Sequence, residues 1–228
     1  MRLSIVVPTL NEAAGVVAAL EALQPLRAAG HEVIVIDGGS GDGTPDLAAP
    51  WADRVASAAR GRANQMNAGA RIAAGDVLLF LHADTRLSAR ADRMVLDGLA
   101  GSGRAWGRFD VRIAGRHPLL RLVAALMNAR SRWTGIATGD QAVFVRRDAF
   151  AAVGGFPPLP LMEDVALSAA LKRVSRPLCL RERVTTSGRR WESHGVIRTI
   201  ALMWWLRLRY FFGTSPERLA EIYRHDPH

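Results

Sequence analysis

The stretch EVIVIDGGSGDGTPD, residues Glu32 to Asp46, decides the fold because a strand, a turn and a helix start follow one another within it. Glu32–Asp37 is a short run rich in β-branched apolar residues, which is typical of a buried parallel strand. The glycine-rich segment that follows predicts a turn. Thr44 and Pro45 then predict a helix with proline at or near its first position.

Strands and helices continue to alternate on both sides of this stretch. Apolar runs predict strands at Leu3–Val7, Asp53–Ala56 and Asp76–Leu81, and helical patterns follow Glu12 and cover Ala63–Ala73. Strands separated by helices and joined by short loops predict a three-layer α/β domain around a mainly parallel sheet.

The second half of the chain is less regular. It predicts strands at Trp106–Ile113 and Gln141–Arg147, helices at Leu119–Met127 and Glu163–Val174, and a short helix that ends near Gly154. We find no internal repeat and no low-complexity linker, so residues 1–228 are treated as one domain.

The composition fits a folded protein with anionic partners. Apolar residues make up 49% of the 228 residues, which is enough for a core and argues against disorder. The formal net charge of +9 favours phosphates, nucleic acid or an acidic membrane surface, although Lys172 is the only lysine. Nucleic-acid binding has no support beyond this charge, so we expect no nucleic-acid partner.

Cys179 is the single cysteine, and its neighbours Leu178 and Leu180 predict core packing rather than a reactive thiol. The apolar run from Leu3 ends before Pro8 and is too short for the apolar region of a signal peptide. We therefore expect a cytoplasmic enzyme.

The segment Ile197–Phe212 mixes apolar and aromatic residues with Arg198, Arg207 and Arg209. Its uninterrupted apolar run, Ile200–Leu206, is far shorter than the ~20 residues that a spanning helix needs. One interpretation is a helix packed on the sheet. The other is an amphipathic helix in a membrane interface, where Trp, Tyr and Arg collect. The second would make the protein peripheral on the inner face of the membrane.

Polar residues follow three of the predicted strands, at the edge where open α/β sheets bind ligands. Pro8 to Glu12 follow the first strand, Asp37 ends the second, and His82 and Asp84 follow Asp76–Leu81. His82 and Asp84 point to one face of an extended segment because they are two residues apart. We expect all these groups to converge on one crevice.

The glycine-rich turn after Asp37 matches neither of two common phosphate-binding motifs. A dinucleotide fingerprint needs glycine at relative positions one, three and six, but Thr44 takes the sixth position counted from Gly39. A P-loop has the spacing of Gly38 and Gly43 but needs lysine where Thr44 stands. A flexible turn before a helix is the plain alternative.

The sequence resembles the family 2 glycosyltransferases of the GT-A fold, and in particular small, stand-alone bacterial members of unassigned substrate. The motifs that carry the resemblance are SIVVPTLNEA from Ser4, VIDGGSGDGT from Val35, GDVLLFLHADT from Gly75 and PLMEDVALS from Pro160. They lie between about Leu3 and Arg173, with a looser likeness to Trp191. We expect a GT-A type three-layer domain with a C-terminal helical segment. Its nucleotide-sugar-binding half would cover about 1–115, its acceptor-binding half about 116–195, and an amphipathic helix about 196–228.

The resemblance implies which residues bind the nucleotide. In the family, the first motif and the aspartate after the second strand hold the base and the ribose, which here are Pro8, Thr9, Asn11, Glu12 and Asp37. Arg60 and Arg62 could meet the diphosphate through paired donors. The plainer alternatives are a turn carboxylate for Asp37 and solvated arginines.

The family usually has Asp-x-Asp where this chain has His82-Ala83-Asp84. The resemblance assigns Asp84 to a divalent metal, Mn²⁺ or Mg²⁺, that bridges the two phosphates. His82 could accept a ribose hydroxyl or bind Mn²⁺, but it is a poorer ligand for Mg²⁺. A hydrogen-bonded packed histidine and a helix N-cap are the plain alternatives for His82 and Asp84. His194 is a further candidate metal ligand.

Glu163-Asp164 resembles the acidic pair of the family, whose second member, Asp164, would be the general base. An inverting sugar transfer needs one carboxylate within reach of the acceptor hydroxyl. A plain helix N-cap is the alternative for Asp164. The residues expected on the acceptor side are Gly139, Asp140, Gln141, Glu163, Arg189, Arg190 and Trp191.

The resemblance implies an inverting, metal-dependent transfer from a nucleotide sugar, with UDP as the expected nucleotide. The acceptor is unknown, and a lipid-linked acceptor is one expectation. Two other functions stay open at this point. A sugar-phosphate nucleotidylyltransferase would need a basic glycine-rich loop where Pro8 to Glu12 stand. A membrane-associated nucleotide-sugar binder without turnover would not need both Asp84 and Asp164.

Overall fold

The structure is a computed structural model, and it describes residues 1–193 and 195–224 apart from the side chains of Arg190 and Arg224. The strands are β1 (Leu3–Thr9), β2 (Glu32–Asp37), β3 (Arg54–Ser57), β4 (Val77–Phe80), β5 (Thr85–Arg86), β6 (Trp106–Ala114), β7 (Phe144–Arg146) and β8 (Leu178–Ser187). The helices are α1 (Val16–Glu21), α2 (Gln24–Ala28), α3 (Thr44–Ala48), α4 (Arg62–Ile72), α5 (Ala91–Ser102), α6 (Leu119–Thr134), α7 (Arg147–Ala152), α8 (Glu163–Leu171), α9 (Arg189–Ser193), α10 (Val196–Phe211) and α11 (Pro216–Arg224).

In the part of the chain that is described, the strands form one sheet in the order β3-β2-β1-β4-β7-β6-β8-β5. The strands β3, β2, β1 and β4 pair in parallel, with Val6 of β1 opposite Ile34 of β2 and Phe80 of β4. The β4–β7 and β7–β6 pairs are antiparallel, and β8 is parallel to β6. All four strands of the first half therefore end at the same edge.

Helices cover both faces of this sheet because its strands alternate two apolar sets. Ile5 and Val7 belong to a core that includes Leu20, Val95 and Val123 from α1, α5 and α6. Val6 and Ile34 belong to the opposite core, with Met66 of α4, Phe150 of α7 and Leu167 of α8. These two cores make the three layers, so the predicted α/β class, a three-layer domain around a mainly parallel sheet, is confirmed.

The strand β8 and the helix α5 are elements that the sequence pattern did not predict. β6 pairs Phe109 with Leu180 but Asp110 with Arg183, so a bulge holds Arg181 and Glu182. The bulge and its charged residues interrupt the two-residue alternation by which a strand is recognised. Cys179, for which core packing was predicted, lies on β8 and is only half-buried.

The C-terminal segment forms two helices, α10 and α11, instead of the single helix expected over 196–228. Leu206 of α10 is buried together with Met162 and Leu219, which holds this helix pair against the start of α8. Trp204 is 62% exposed and Trp205 43% exposed, so neither tryptophan is a core residue. Within the described residues, no helix combines the length and the apolar character needed to cross a membrane.

Candidate active site

Asp37, at the end of β2, organises the glycine-rich turn. Its Oδ2 accepts hydrogen bonds from the amides of Gly39 and Ser40, both at 2.8 Å. Its Oδ1 accepts bonds from the hydroxyls of Ser40, at 2.5 Å, and Thr9, at 3.3 Å. Burial alone would raise the pKa of Asp37, but the hydrogen bonds from Ser40, Gly39 and Thr9 outweigh it and lower the pKa. The carboxylate therefore stays ionised and fixes the shape of the turn.

The loop after β1 is bonded directly to this turn. The amide of Asn11 donates to Ser40 Oγ at 2.8 Å, and the amide of Gly41 donates back to Asn11 Oδ1 at 3.0 Å. Glu12 N donates to Thr44 Oγ1 at 2.9 Å. Asn11 has a φ of 54°, a left-handed conformation that asparagine adopts more readily than most residues. The two predicted nucleotide-binding segments thus form one connected platform.

Gln65 of α4 bonds to the two strand ends that carry this platform. It was not identified as a site residue from the sequence. Its Nε2 donates to the carbonyl oxygens of Thr9, at 2.7 Å, and Ile36, at 2.8 Å. A Cβ at Gly38 would lie 3.1 Å from the Gln65 side chain, so the small residue there gives the amide room. The one available signal was the position of Gln65 inside the motif-like stretch GRANQMNAGA.

Glu12 and Asp84 bring two carboxylates together at the strand ends. Burial raises the pKa of Glu12, and the negative charge of Asp84 raises it further, whereas Arg189 and Arg62 lower it. Asp84 is exposed just after β4, and its Oδ1 accepts a bond from Thr85 Oγ1 at 3.3 Å. Two carboxylates that repel each other favour a cation between them.

The donor set at Asp84 fits a metal that takes most of its ligands from a substrate. Within residues 1–193 and 195–224, no group of three or more His, Cys, Asp or Glu side chains is arranged to hold a metal. Mg²⁺ and similar ions are commonly bound by one or two carboxylates together with phosphate oxygens. Asp84, with Glu12 nearby, matches that arrangement. His194, the other predicted ligand, lies outside the described residues.

His82 links β4 to the segment before β7. A Cβ at Gly139 would lie 2.5 Å from the His82 ring, so the imidazole packs directly on the Gly139 backbone. His82 Nδ1 is 3.5 Å from Asp140 Oδ1. Burial would raise the pKa of Asp140, but His82 and, more weakly, Arg62 outweigh this effect and lower it. His82 therefore faces an ionised carboxylate.

Asp164 and Glu163 occupy the first turn of α8, where the helix dipole favours negative charge. Asp164 Oδ2 accepts a bond from the amide of Gly139 at 2.8 Å, and its Oδ1 accepts one from the amide of Val165 at 2.7 Å. Glu163 is buried, and burial followed by the charge of Asp164 raises its pKa. Asp164 is thus held in place next to the segment that carries Asp140.

Arg62, in the first turn of α4, is exposed and lies within electrostatic range of both carboxylate groups. Desolvation would lower its pKa, but Glu163 above all, then Tyr223, Asp140 and Asp164, raises it. Arg62 is also one of the arginines that act on Glu12. The guanidinium therefore lies within electrostatic reach of both the strand ends and the start of α8. Arg60 is exposed, as a solvated arginine would be.

The structure separates the residues predicted for the acceptor side. Gly139, Asp140 and Glu163 lie beside Asp164, whereas Arg189 is close enough to Glu12 to lower its pKa. Gln141 is fully buried, and its Oε1 accepts a bond from the Thr138 amide at 3.2 Å. Trp191 packs against the core that contains Ile5 and Val7. The Arg190 side chain lies outside the described residues. Pro8 and Thr9 are the last two residues of β1, whereas the sequence pattern placed them after the strand.

Arg130 of α6 and Arg207 of α10 also reach this region, although the sequence did not single them out as site residues. Burial lowers the pKa of Arg207, and the negative charges of Asp164 and then Asp140 offset part of this effect. Arg130 interacts with both Arg207 and Asp164. Each of the two arginines shares its helix with two other arginines, so the sequence alone gives no reason to select it.

Comparison with known proteins identifies the class that this fold and site define. The family model described as Glycosyl transferase family 2 matches residues 4–152. The chain belongs to this family, so the resemblance stated from the motifs is confirmed, and the function expected of a family member is glycosyl transfer.

The curated relatives include proteins named PGL/p-HBAD biosynthesis glycosyltransferase from Mycobacterium bovis and Mycobacterium tuberculosis. The chain is 31% identical to them over 176 residues, which cover 67% of this chain and 62% of the relative. The chain therefore spans about three fifths of the length of these relatives.

Solved structures share the fold at low sequence identity. A Pyrobaculum calidifontis mannosyltransferase in complex with GDP-Man and Mn²⁺ has a TM-score of 0.70 and 20% identity, and covers 99% of this chain and 70% of its own. S. aureus TarS with UDP-GlcNAc has a TM-score of 0.67 and 18% identity, with coverages of 82% and 58%. A Mycobacterium tuberculosis glucosyl-3-phosphoglycerate synthase with Mn²⁺, UDP and phosphoglyceric acid has a TM-score of 0.58, 19% identity and coverages of 81% and 69%.

Proposed function

We propose that this chain catalyses an inverting, metal-dependent sugar transfer from a nucleotide sugar, with a UDP sugar as donor. The observation that carries the proposal is the geometry at Gly139: its amide donates to Asp164 Oδ2 at 2.8 Å, and its backbone packs on the His82 ring, so the strand-end group after β4 lies beside the acidic group at the start of α8. A nucleotide at the strand ends would bring its diphosphate and sugar between these two groups. Structural neighbours bound to UDP-GlcNAc, UDP and GDP-Man agree with a nucleotide-sugar donor.

The nucleotide would lie on the connected platform formed by the loops after β1 and β2. Pro8, Thr9, Asn11 and Glu12 line its first part, and Asp37 contributes mainly by holding the turn, since its oxygens are already bonded there. Arg62 would meet the diphosphate, because guanidinium groups pair well with phosphate oxygens. His82 and the exposed Arg60 remain candidates for weaker contacts.

Asp84, with Glu12 beside it, would hold a divalent metal together with the diphosphate oxygens. A metal so placed neutralises the charge that develops on the leaving nucleoside diphosphate. The Mn²⁺ complexes of two structural neighbours support this assignment and favour Mn²⁺ as the first ion to test.

Asp164 would act as the general base. Its bonds from the amides of Gly139 and Val165 fix the carboxylate, and each oxygen retains a further lone pair that can accept the acceptor hydroxyl proton. The nucleophilic oxygen would attack the anomeric carbon on the face opposite the departing diphosphate, so the configuration inverts. Glu163 is less suited to this role because its side chain is buried.

We further propose that α10 rests on an anionic membrane and brings the crevice to a lipid-linked acceptor. Besides the two tryptophans, Phe211 is 82% exposed and Phe212 75% exposed. The adjoining helix α6 also presents apolar side chains, with Trp133 94% exposed. Exposed aromatics next to arginines are typical of helices that lie in the interface. Such binding would make the protein peripheral, and we propose the inner face of the membrane as its location.

The central test is transfer or hydrolysis across a panel of nucleotide sugars, with and without Mn²⁺, for wild-type protein and for Asp164→Asn. Asn keeps the size of the side chain but cannot take the proton. We expect the variant to bind UDP like the wild type and to lose about 10²–10⁴-fold in transfer rate. Asp97→Asn, at an exposed position of α5, is the matched control for a lost carboxylate.

Two results would overturn the proposal. Transfer by Asp164→Asn within a few-fold of wild type would place the base elsewhere. UDP binding by the wild type without turnover of any donor would favour the non-catalytic nucleotide-sugar binder instead.

A further inference from the structure

Arg130 is a half-buried residue of α6 with an unused pair of donors. Its Nε and Nη2 atoms are both buried, and neither has a hydrogen-bond partner among the residues described. These two N–H groups lie on one edge of the guanidinium and point in parallel, which is the geometry that receives two oxygens of one anion. Buried donors are nearly always paired in folded proteins. The two donors Nε and Nη2 of Arg130, here called the fork, have no partner among the residues described, and this indicates a ligand.

Arg207 adds a second positive charge beside this fork. The helices α6 and α10 contact each other, and Arg207 is the charge with the largest effect on Arg130. Burial and the repulsion from Arg207 lower the pKa of Arg130 to about 10. Asp164 offsets part of this positive charge, but its oxygens accept bonds from Gly139 and Val165 rather than from either arginine.

The two arginines lie on the acceptor side of the crevice. Both interact with Asp164, the proposed base, and Arg207 also interacts with Asp140. The arginines with the largest effect on Glu12, at the nucleotide end, are Arg189 and Arg62 instead. Arg130 and Arg207 act instead on Asp164, which Arg62 also reaches from the nucleotide end.

We infer that Arg130 and Arg207 form a subsite between α6 and α10 that binds a phosphate group carried by the acceptor, close to the hydroxyl that Asp164 activates. The inference rests on the proposed function, which it deepens by naming a chemical class of acceptor. The phosphate could belong to a lipid carrier or to a water-soluble phosphate ester, since both offer the same oxygens to the fork.

Calorimetry on the full chain, saturated with UDP and Mn²⁺, tests this subsite with three probes: inorganic phosphate, decyl phosphate and decanol. We expect the first two to bind and decanol not to bind. Arg130→Gln and Arg207→Gln should each weaken phosphate binding about 10- to 100-fold, as loss of charge-assisted hydrogen bonds does. Arg121→Gln is the matched control, because Arg121 is an exposed arginine on the same helix as Arg130.

The relative affinities of the probes identify the source of the phosphate. Decyl phosphate that binds tenfold or more tightly than inorganic phosphate supports a lipid carrier, and equal affinities support a soluble ester. Arg130→Lys provides a second check, since lysine keeps the charge but lacks the paired donors, and should recover only part of the affinity.

Three results would overturn the subsite. The first is absence of phosphate binding to wild-type protein that does bind UDP. The second is an equal loss in Arg121→Gln, which would indicate general charge attraction. The third is a parallel loss of UDP affinity in Arg130→Gln, which would assign the fork to the donor. Failure of the wild type to bind UDP would instead contradict the proposed function itself.

Discussion

Replacing Gln65 by leucine tests whether α4 holds the two nucleotide loops in place. Leucine is similar in size but removes the two bonds from Nε2 to the carbonyls of Thr9 and Ile36. Thr9 O would keep its bond from the amide of Gly38, at 2.9 Å, so it is not left unpaired. A buried hydrogen bond contributes about 0.5–1.5 kcal/mol net, so the pair is worth about 1–3 kcal/mol. For a chain of this size the melting temperature should fall by about 2–12 °C.

The same substitution should weaken UDP binding because the loops would have to be ordered by the ligand. We expect about a tenfold higher Kd, the equivalent of about 1.4 kcal/mol. Asn67→Leu is a matched control on the same helix, since Asn67 also makes two hydrogen bonds. Its Nδ2 donates to the carbonyl of Phe156 at 2.8 Å, and the amide of Phe156 donates to Asn67 Oδ1 at 2.9 Å. It should lose similar stability and keep UDP affinity.

Thermal melts and UDP titrations on the three proteins measure both effects. Wild-type stability in Gln65→Leu would mean that the two bonds contribute nothing. Equal losses of UDP affinity in both variants would mean that general destabilisation, and not the loop support, controls binding.

Three further predictions concern the metal, the membrane and pH. Asp84→Ala should remove the Mn²⁺ dependence of UDP binding in calorimetry, and unchanged metal dependence would contradict the assignment of Asp84. His82→Asp should keep UDP binding and shift the metal preference towards Mg²⁺. Absence of UDP binding by folded His82→Asp protein would contradict the role given to His82. Joint replacement of Trp204 and Trp205 by alanine should release the folded protein from anionic vesicles in co-sedimentation. Vesicle binding by the wild type should weaken with salt. A wild type that never binds vesicles would rule out the membrane role. Asp37 has a lowered pKa, so its ionised form stabilises the fold above the ordinary carboxyl pKa of about 4, and this contribution is lost as the pH falls through the lowered value. Asp37→Asn should therefore show a smaller loss of stability between about pH 5 and pH 2 in urea titrations, and an unchanged pH profile would disprove this role.

The first half of the fold could be predicted from the sequence because its strands are short, apolar and each followed by a helix. Periodicity identifies such elements without knowledge of their partners. The second half depends on contacts between distant segments. The bulge at Arg181 and Glu182 exists because β8 must follow β6 past Phe109, and nothing in the local pattern of β8 specifies that pairing.

The candidate site shows the same division. Motifs identified Glu12, Asp84 and Asp164, because chemistry at strand ends and helix starts leaves polar residues in characteristic places. In the structure Glu12 and Asp84 interact at the strand ends, and Asp164 lies at the start of α8 bonded to Gly139. Support residues such as Gln65, and charges that arrive from other elements such as Arg207, depend on tertiary packing. A motif also cannot tell a solvated side chain from a buried one, which is why Gln141 was expected at the acceptor side and lies inside the protein.

The departure from the family pattern at His82 has a structural counterpart in Asp140. Where an aspartate would place a second carboxylate two residues before Asp84, this chain has an imidazole whose Nδ1 faces Asp140 at 3.5 Å. Asp140 stays ionised because its pKa is lowered, so a negative charge is still present near the crevice, although it comes from the segment before β7. The ring also packs on Gly139, whose amide donates to Asp164. This contact connects the strand that precedes the proposed metal position with the helix that carries the proposed base. Aspartate at position 82 would lack the ring that makes this contact and would face Asp140 with a like charge. A metal at Asp84 would then be the nearest source of compensation, and this is the physical reason to expect the shift towards Mg²⁺, which prefers oxygen ligands.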